Sequence, residues 1–296
     1  MTGAVQGIGP DLVASNTIYR LGSISKPVTA VATLQLVEQG KLNLDEDIRK
    51  TVPEWPDKGK KITLRQLLGH LGGIRHYGNK ADAFYNHFND AGSALKVFKD
   101  DPLVNEPGTK YSYSTHAFTI VARACENGSG LGFPFLIKSK ISDVANSPTL
   151  RCEDRRVADR DRATLYLKSN TDIRKAPAAE DLSWKYGGGG LESTAGDLCR
   201  FAFAVLEGKL LKPKTVDEMW TSQKTSDGKA TGYGMGWSVS EGKYGKRASH
   251  SGAQQGAQSN MVIYRDKGVV IVLLSNLTGH PLGELTDQIA DFVMAK

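Results

Sequence analysis

Strand-forming and helix-forming segments are segregated along this chain, and this separation limits the folds that it can adopt. The last quarter contains short runs typical of strands, and Asp266-Lys267-Gly268 predicts a hairpin turn between two of them. A terminal amphipathic helix is predicted over residues 281–294. This part of the chain should therefore form an antiparallel sheet flanked by helices, with strands at residues 236–240, 246–249, 259–264 and 269–274.

The centre of the chain has the opposite character and is predicted to be mainly helical, over roughly residues 24–230. We expect an α+β protein in which residues 1–296 form a single domain, with residues 231–296 and the N-terminal segment in the sheet region. A chain of 296 residues can bury one sizeable core. Besides the first helix, apolar spacing predicts helices at residues 62–71, 91–98, 117–126 and 197–207.

Composition and charge argue against several classes of function. Hydrophobic residues make up 40% of the chain and charged residues 24%, which is typical of globular proteins and argues against disorder. The net charge of +6 comes from basic residues interleaved with acidic ones, as in residues 151–162, which we interpret as a solvated face of mixed charge. No nucleic-acid-binding motif is present, so a nucleic-acid partner is not expected.

Neither a metal site nor a disulfide framework is expected. The three cysteines, Cys125, Cys152 and Cys199, are odd in number and lack C-x-x-C spacing, so buried free thiols are the preferred interpretation. The six histidines show no ligand spacing. No apolar run approaches membrane-spanning length, and the first residues lack the pattern of a secretion signal. We expect a cytoplasmic protein with no membrane partner.

The strongest chemical signal is a serine followed three residues later by a lysine, at the start of a predicted buried helix. An extended stretch, residues 17–21, leads into Ser23, and residues 28–37 are apolar at helical spacing. Ser23 and Lys26 then share one helix face, where the lysine can reach the serine oxygen and the helix N-terminus favours an alkoxide. Four serines have a lysine three residues later: Ser23, Ser93, Ser226 and Ser240. Only Ser23 lies where an extended stretch meets a predicted buried helix.

Three further segments are ambiguous when each is taken alone. Tyr113 precedes a predicted buried helix and could direct its phenol into a cleft, although aromatic residues two apart more often pack. His250, followed by Ser251 and Gly252, ends a predicted strand and permits close approach of a substrate, although a single histidine is more often structural. The glycines of residues 187–190 predict a flexible loop or a cleft wall and match no phosphate-binding motif.

In this order, the segments resemble the motifs of the serine β-lactamase and penicillin-binding-protein superfamily. Ser23-Ile24-Ser25-Lys26 matches the first motif, Tyr113-Ser114-Thr115 the tyrosine form of the second, and His250-Ser251-Gly252 takes the place of the third. The similarity extends over nearly the whole chain from about Asn16. Residues 51–56, 67–77 and 188–194 also contribute to the similarity. The similarity favours the class C-like branch, which includes the family VIII carboxylesterases and mitochondrial serine β-lactamase-like proteins.

The resemblance implies a β-lactamase/transpeptidase-like fold, with the active site between the sheet and the helical region. It also implies a two-step acyl transfer that needs no metal and no organic cofactor. Ser23 would attack the substrate carbonyl while Lys26 and Tyr113 share the removal of its proton. The nearby charge of Lys26 is expected to favour the Tyr113 phenolate.

The third motif carries the remaining expectations for substrate binding. His250 would contact the substrate or adjust the Tyr113 hydroxyl. The backbone N–H groups of Ser23 and of Ala253, which follows Gly252, would form the oxyanion hole.

His250 also departs from the family pattern, because true β-lactamases have a lysine at this place. We expect a carboxylesterase that acts on small esters, with weak or no β-lactam hydrolysis. A β-lactamase or a D-amino-acid amidase or peptidase of the same fold is the alternative, so the partner is a small ester or amide. A non-catalytic binding or filament-forming protein is the alternative of another class, and the intact Ser23, Lys26 and Tyr113 argue against it.

The beginning of the chain is the second departure, since 22 residues precede Ser23 and family members usually have several dozen. Residues 1–16 are rich in glycine and poor in β-branched residues, so we expect the usual N-terminal strand pair to be missing. The apolar strand at residues 269–274 would then lie at a sheet edge. A second subunit is the favoured cover, which predicts a homo-oligomer; the N-terminal segment or the terminal helix are the alternatives.

Overall fold

The computed structural model describes residues 13–78, 86–169, 172–176, 179–279 and 281–295. Its helices are α1 (Ser25–Glu38), α2 (Leu64–Leu68), α3 (Ala91–Ala94), α4 (Thr115–Ser129), α5 (Phe133–Ile137), α6 (Tyr186–Gly189), α7 (Ala195–Leu206), α8 (Pro213–Met219) and α9 (Gly283–Met294). Its strands are β1 (Tyr19–Arg20), β2 (Arg151–Cys152), β3 (Tyr166–Lys168), β4 (Ile173–Lys175), β5 (Leu191–Ser193), β6 (Ser238–Gly242), β7 (Gly245–Gln254), β8 (Ala257–Tyr264) and β9 (Val269–Ser275). The predicted α+β class is confirmed.

The C-terminal strands form an antiparallel sheet in the order β6-β7-β8-β9. The prediction that His250 ends a strand is wrong, because β7 continues in register with β8, where His250 is opposite Met261 and Gly252 is opposite Ser259. Strand β6 pairs with β7 only as far as Ser249. From residue 250 onward, β7 is not paired with β6. This part of β7 packs against the turn that carries Ser23.

Helix α1 occupies the centre of the core, as its apolar sequence predicted. It packs against α4, α5 and α6, and Val28, Val31 and Leu34 are fully buried. Pro27 lies in its first turn, where the missing N–H leaves no bond unmade. Gly40 follows the helix with a φ of +68°, a conformation in which glycine commonly ends helices.

The boundaries of other helices depend on capping residues. Helix α2 is shorter than predicted because Thr63 and Gln66 form a capping box that fixes its beginning after residue 62. Helix α4 is longer than predicted. Its N-cap Ser114 accepts a hydrogen bond from the Ala117 N–H, and Gly130 adopts a left-handed conformation after its last residue.

A small antiparallel sheet in the order β1-β5-β2 joins the two ends of the helical region. Only β1, within the extended stretch at residues 17–21, was predicted; β2, β5 and the β3–β4 hairpin are too short to show a pattern.

The predicted solvated face at residues 151–162 is wrong in part, because it contains buried charges. Arg20 and Glu153 are both buried, and their side chains form an ion pair of 2.7 Å. Burial raises the pKa of Glu153, but the charges of Arg20 and Arg155 outweigh it and hold this pKa below its usual range. Of the three free cysteines, Cys125 and Cys152 are buried as expected, whereas Cys199 is half-buried.

Strand β9 lies at the edge of its sheet among the residues that the structure describes. Helices α7 and α9 pack against it. The prediction for the N-terminal strand pair falls mainly on residues 1–12, which lie outside the described residues.

None of the helices within the described ranges combines the length and the apolar character that crossing a membrane requires.

Candidate active site

Ser23 lies in a tight turn between β1 and α1. Gly22 has a φ of +51°, a left-handed conformation that side chains disfavour, and it sets the direction of the turn. The Ser25 hydroxyl donates a hydrogen bond to the Gly22 carbonyl oxygen (2.8 Å) and accepts one from the Leu191 N–H (3.0 Å). The turn is therefore held both by its own backbone and by β5.

Lys26 approaches Ser23 from the first turn of α1, with its side chain fully buried. Its Nζ lies 3.0 Å from Ser23 Oγ, 3.2 Å from Thr115 Oγ1 and 2.6 Å from the Gly188 carbonyl oxygen. A neutral amine has two N–H donors and one lone pair. Lys26 can therefore donate to Thr115 and Gly188 while it accepts a hydrogen bond from the Ser23 hydroxyl, which is the arrangement a base needs.

The expected protonation state of Tyr113 is wrong. Burial lowers the pKa of Lys26 well below its ordinary value, and the charge of Lys185 lowers it further. Burial raises the pKa of the Tyr113 phenol, and its hydrogen bonding with Ser23 offsets this only in part. The loss of hydration thus outweighs the attraction of a nearby cation for a phenolate. Of the two groups, Lys26 is the one whose surroundings favour the form that accepts a proton.

Two histidines that the motif comparison did not single out position the second motif. His70 Nδ1 accepts a hydrogen bond from the Ser114 N–H, and His76 Nδ1 accepts one from the Thr115 N–H, both at 3.1 Å. The His70 ring also lies against the Tyr113 ring, with centroids 4.3 Å apart. Both histidines fall in the segment that only the family resemblance marked, because isolated histidines form no spacing pattern.

Both histidines are held in the neutral form that accepting a hydrogen bond requires. Burial lowers the pKa of His70 well below its usual value, and it lowers the pKa of His76 to about 4. The charge of Lys26 acts in the same direction on both.

His250 does not contact the Tyr113 hydroxyl in the way that we expected. Its Nε2 lies 2.8 Å from the Tyr233 hydroxyl and its Nδ1 lies 2.7 Å from the Ser251 carbonyl oxygen, so both ring nitrogens have partners. The carbonyl accepts from Nδ1–H, which leaves Nε2 to accept from Tyr233. Burial and the charge of Lys26 lower the pKa of His250 to about 3. The third motif therefore contributes no cation.

Gly252 and Ala253 lie directly against the Ser23 turn. A Cβ atom on Gly252 would come within 2.1 Å of the Leu21 carbonyl oxygen and 3.0 Å of Ser23 N, and one on Gly22 would be 2.9 Å from Ala253 N. The backbones of β7 and of the Ser23 turn can approach this closely only because residues 22 and 252 are glycines. This approach places the backbone nitrogens of Ser23 and Ala253 on the same side of the turn.

Residues 187–190 form a buried turn and not the flexible loop that was one of their two predicted interpretations. A Cβ on Gly187 would lie 2.5 Å from the Phe118 carbonyl oxygen, and one on Gly188 would lie 2.8 Å from that of Thr115. The absence of side chains lets α6 pack directly on α4, so that the Gly188 carbonyl reaches Lys26. The alternative interpretation, a cleft wall, fits this position.

Across the described ranges, the structure brings no three His, Cys, Asp or Glu side chains together in a way that could hold a metal ion. The polar groups around Ser23 are instead hydroxyl, amine and imidazole groups and backbone amides.

Comparisons with known proteins identify the family and the fold. A family profile described as Beta-lactamase matches residues 5–294. The chain is 27% identical over 382 residues to the human (Homo sapiens) mitochondrial serine beta-lactamase-like protein LACTB, a match covering 93% of this chain and 70% of that protein.

Two solved structures share the fold at lower identity. The D-amino acid amidase from Ochrobactrum anthropi SV3, complexed with L-phenylalanine, has a TM-score of 0.83 at 18% identity, covering 96% of this chain and 87% of the amidase. EstCE1, a hydrolase with promiscuous acyltransferase activity, has a TM-score of 0.71 at 19% identity, covering 91% of this chain and 82% of EstCE1. The chain belongs to the Beta-lactamase family and is a serine hydrolase of the β-lactamase and penicillin-binding-protein fold.

Proposed function

We propose that this protein is a carboxylesterase that hydrolyses small esters through an acyl-enzyme on Ser23. The observation that carries the proposal is the environment of Lys26, whose lone pair is directed to Ser23 Oγ when its two N–H groups bind Thr115 and Gly188. Burial lowers the pKa of Lys26 and so favours the neutral amine, the form that can take the serine proton.

In the first step, the Ser23 proton passes to Lys26 as the serine oxygen forms a bond to the substrate carbonyl carbon. The N–H groups of Ser23 and Ala253 stabilise the oxyanion. The leaving alkoxide departs with the proton from Lys26, relayed by the protonated Tyr113 hydroxyl. Water then attacks the acyl-enzyme and gives its proton to Lys26, which returns it to Ser23 as the acid is released.

Esters are favoured over β-lactams because of His250. Both of its nitrogens are engaged and burial keeps it neutral, so it offers no ammonium to the carboxylate of a β-lactam. Esters are also easier to cleave than amides.

The second candidate, a D-amino-acid amidase, is suggested by the activity named for the Ochrobactrum structure. Such substrates carry an ammonium group. Lys185, the buried lysine whose charge reaches Lys26, would repel that group. This electrostatic environment supports the ester.

The test uses a fluorophosphonate label and 4-nitrophenyl butyrate. We expect the label to react with Ser23, and the Ser23→Ala variant to lose at least about 1,000-fold in kcat/KM while its melting temperature stays within a few degrees. Ser93→Ala is the matched control, since Ser93 also precedes a lysine by three residues but lies on α3, outside the site. Near-normal turnover by Ser23→Ala would refute the mechanism, and a protein that neither labels nor turns over esters would support the non-catalytic alternative.

A further inference from the structure

Lys185 is a second buried lysine beside the site, and the mechanism above does not use it. Only 3% of its surface is exposed. Its Nζ lies 5.0 Å from the centre of the Tyr77 ring, 4.8 Å from that of Trp184 and 3.3 Å from the Tyr77 hydroxyl. Among the described residues, no carboxylate forms an ion pair with Lys185, and the Tyr77 oxygen is its hydrogen-bond acceptor.

The lysine side chain runs alongside the turn that carries Ser23. A Cβ placed on Gly189 would lie 3.7 Å from Lys185 Cδ and 4.0 Å from the carbonyl carbon of Gly22. The lysine stem and the nucleophile turn therefore both lie close to Gly189. The charge of Lys185 also reaches Lys26 and His76, whose pKa values it lowers.

The end of the Lys185 side chain is covered by a residue at the surface. Tyr77 is 43% exposed and stacks on His76, with ring centroids 4.0 Å apart. A partly exposed residue therefore supplies the acceptor of the buried Lys185 ammonium. A ligand group that joined or displaced the Tyr77 hydroxyl would reach it.

The local charges leave Lys185 without full compensation. Of the nearby carboxylates, Glu153 is paired with Arg20, and Glu180 accepts a hydrogen bond from Gln254 Nε2 (2.8 Å). A buried ammonium that has a neutral phenol as its acceptor carries an unmet demand for negative charge. Functional sites often contain such groups.

We propose that Lys185 binds a carboxylate of the substrate and makes this enzyme selective for anionic esters. It would supply, from the residue just before α6, the cation that His250 does not supply from the third motif. An ammonium–carboxylate hydrogen bond is about twice as strong as a neutral one, and it would be formed next to Ser23. The inference rests on the proposed esterase function and adds its substrate class.

The test compares 4-nitrophenyl hydrogen adipate with 4-nitrophenyl hexanoate, which have the same chain length and differ in a terminal carboxylate. At pH 7 we expect wild-type kcat/KM to favour the adipate by at least about 10-fold. Lys185→Met and Lys185→Gln should both lower this ratio at least 10-fold, mainly through KM. Lys58→Gln is the matched control, because Lys58 also lies over an aromatic ring (5.6 Å from the centre of Trp55) but donates its hydrogen bond to the Asp101 carbonyl oxygen and not to Tyr77.

The outcomes separate the possible roles of Lys185. If it acted only through the pKa of Lys26, both esters would lose rate equally, and the unchanged ratio would overturn the proposal. A wild-type preference for the hexanoate would overturn it even if neither variant folded. Fluorophosphonate labelling of Ser23 in the same samples reports on the proposed function. A labelled protein that hydrolyses hexanoate without selectivity refutes only the carboxylate site, whereas an unlabelled and inactive protein refutes both.

Discussion

Lys26 Nζ lies over the face of the Tyr113 ring, 4.7 Å from its centre. The amine contacts the face of the ring and not the phenol oxygen, so this contact does not require the phenol to ionise. The two residues can therefore be adjacent while Tyr113 keeps its proton, in agreement with the raised pKa that burial gives it. This division of roles, an amine that accepts and a phenol that relays, leads to the first prediction.

The pH dependence of kcat/KM should follow Lys26. Burial lowers its pKa well below the ordinary value, so the neutral, proton-accepting form persists to a lower pH than it would for an exposed lysine. We expect kcat/KM for 4-nitrophenyl butyrate to decline on the acid side, with a midpoint well below the ordinary pKa of lysine. Lys26→Arg, which cannot act as a base, should lose at least about 1,000-fold. A rate that keeps rising tenfold per pH unit up to pH 10 would contradict this assignment.

The Gly252→Ala substitution should damage the site far more than the same change elsewhere in the sheet. A Cβ at Gly252 would collide with the Leu21 carbonyl oxygen at 2.1 Å and with Ser259 Oγ at 2.3 Å, which forces β7 away from the Ser23 turn. We expect at least about a 100-fold loss of kcat/KM. Gly242→Ala is the matched control, since a Cβ there meets no atom within 4 Å. Equal effects of the two substitutions would show that the close approach is unimportant.

Acid should destabilise the protein through its buried histidines. The pKa values of His76 and His250 fall to about 4 and about 3, below the ordinary 6.5, and that of His70 also falls. The unfolded chain therefore binds protons below about pH 6.5 that the native state does not, so the free energy of unfolding decreases as pH falls towards 4. Each histidine contributes at most about 1.4 kcal/mol per pH unit.

The measurement is the urea midpoint from pH 7.5 to 4.5, with His76→Asn as the comparison. Asparagine does not titrate, and its amide oxygen can still accept the Thr115 N–H. The variant should show a shallower decline than the wild type. Identical slopes would mean that His76 does not contribute to the acid sensitivity.

β-Lactams should be poor substrates relative to small esters. A neutral His250 with both nitrogens engaged offers no cation to their carboxylate, and Lys185 immediately precedes α6, at a different position from the third motif. We expect kcat/KM for nitrocefin to be lower than that for 4-nitrophenyl acetate. A higher value for nitrocefin would contradict the carboxylesterase assignment.

Self-association is the prediction that follows from the edge position of β9. Its sequence from Val269 to Leu274 is apolar throughout, and an edge strand carries unpaired backbone groups beside those side chains. We expect light scattering to show a concentration-dependent dimer or larger assembly. A strict monomer at high concentration, with β9 amides strongly protected from hydrogen exchange, would instead indicate cover from within the chain.

The parts of the site that the sequence predicted are those encoded locally. Ser23 and Lys26 are three residues apart at the start of one buried helix, so periodicity alone places them together. Tyr113 and His250 required the motif order of a family. Lys185, His70 and His76 reach the site only through tertiary packing, and nothing in their immediate neighbours distinguishes them. The expected Tyr113 phenolate was wrong for a related reason, because burial, which decides its pKa, cannot be read from spacing.

The fold shows the same limit. The α+β class and the strand β9 were predicted from apolar runs that have a clear period. The course of β7 through His250 was not, because Ser249 to Gln254 lacks a strand pattern and is held in place by pairing with β8.

The glycine turn at residues 187–190 has a consequence for how this enzyme can diversify. The atoms that it presents to Lys26 are backbone atoms, and any side chain introduced at Gly187 or Gly188 collides with α4. Selection for new substrates, natural or in the laboratory, therefore cannot readily use Gly187 or Gly188. Adaptive changes should accumulate at Tyr77 and Lys185, whose side chains can be exchanged without moving the catalytic base.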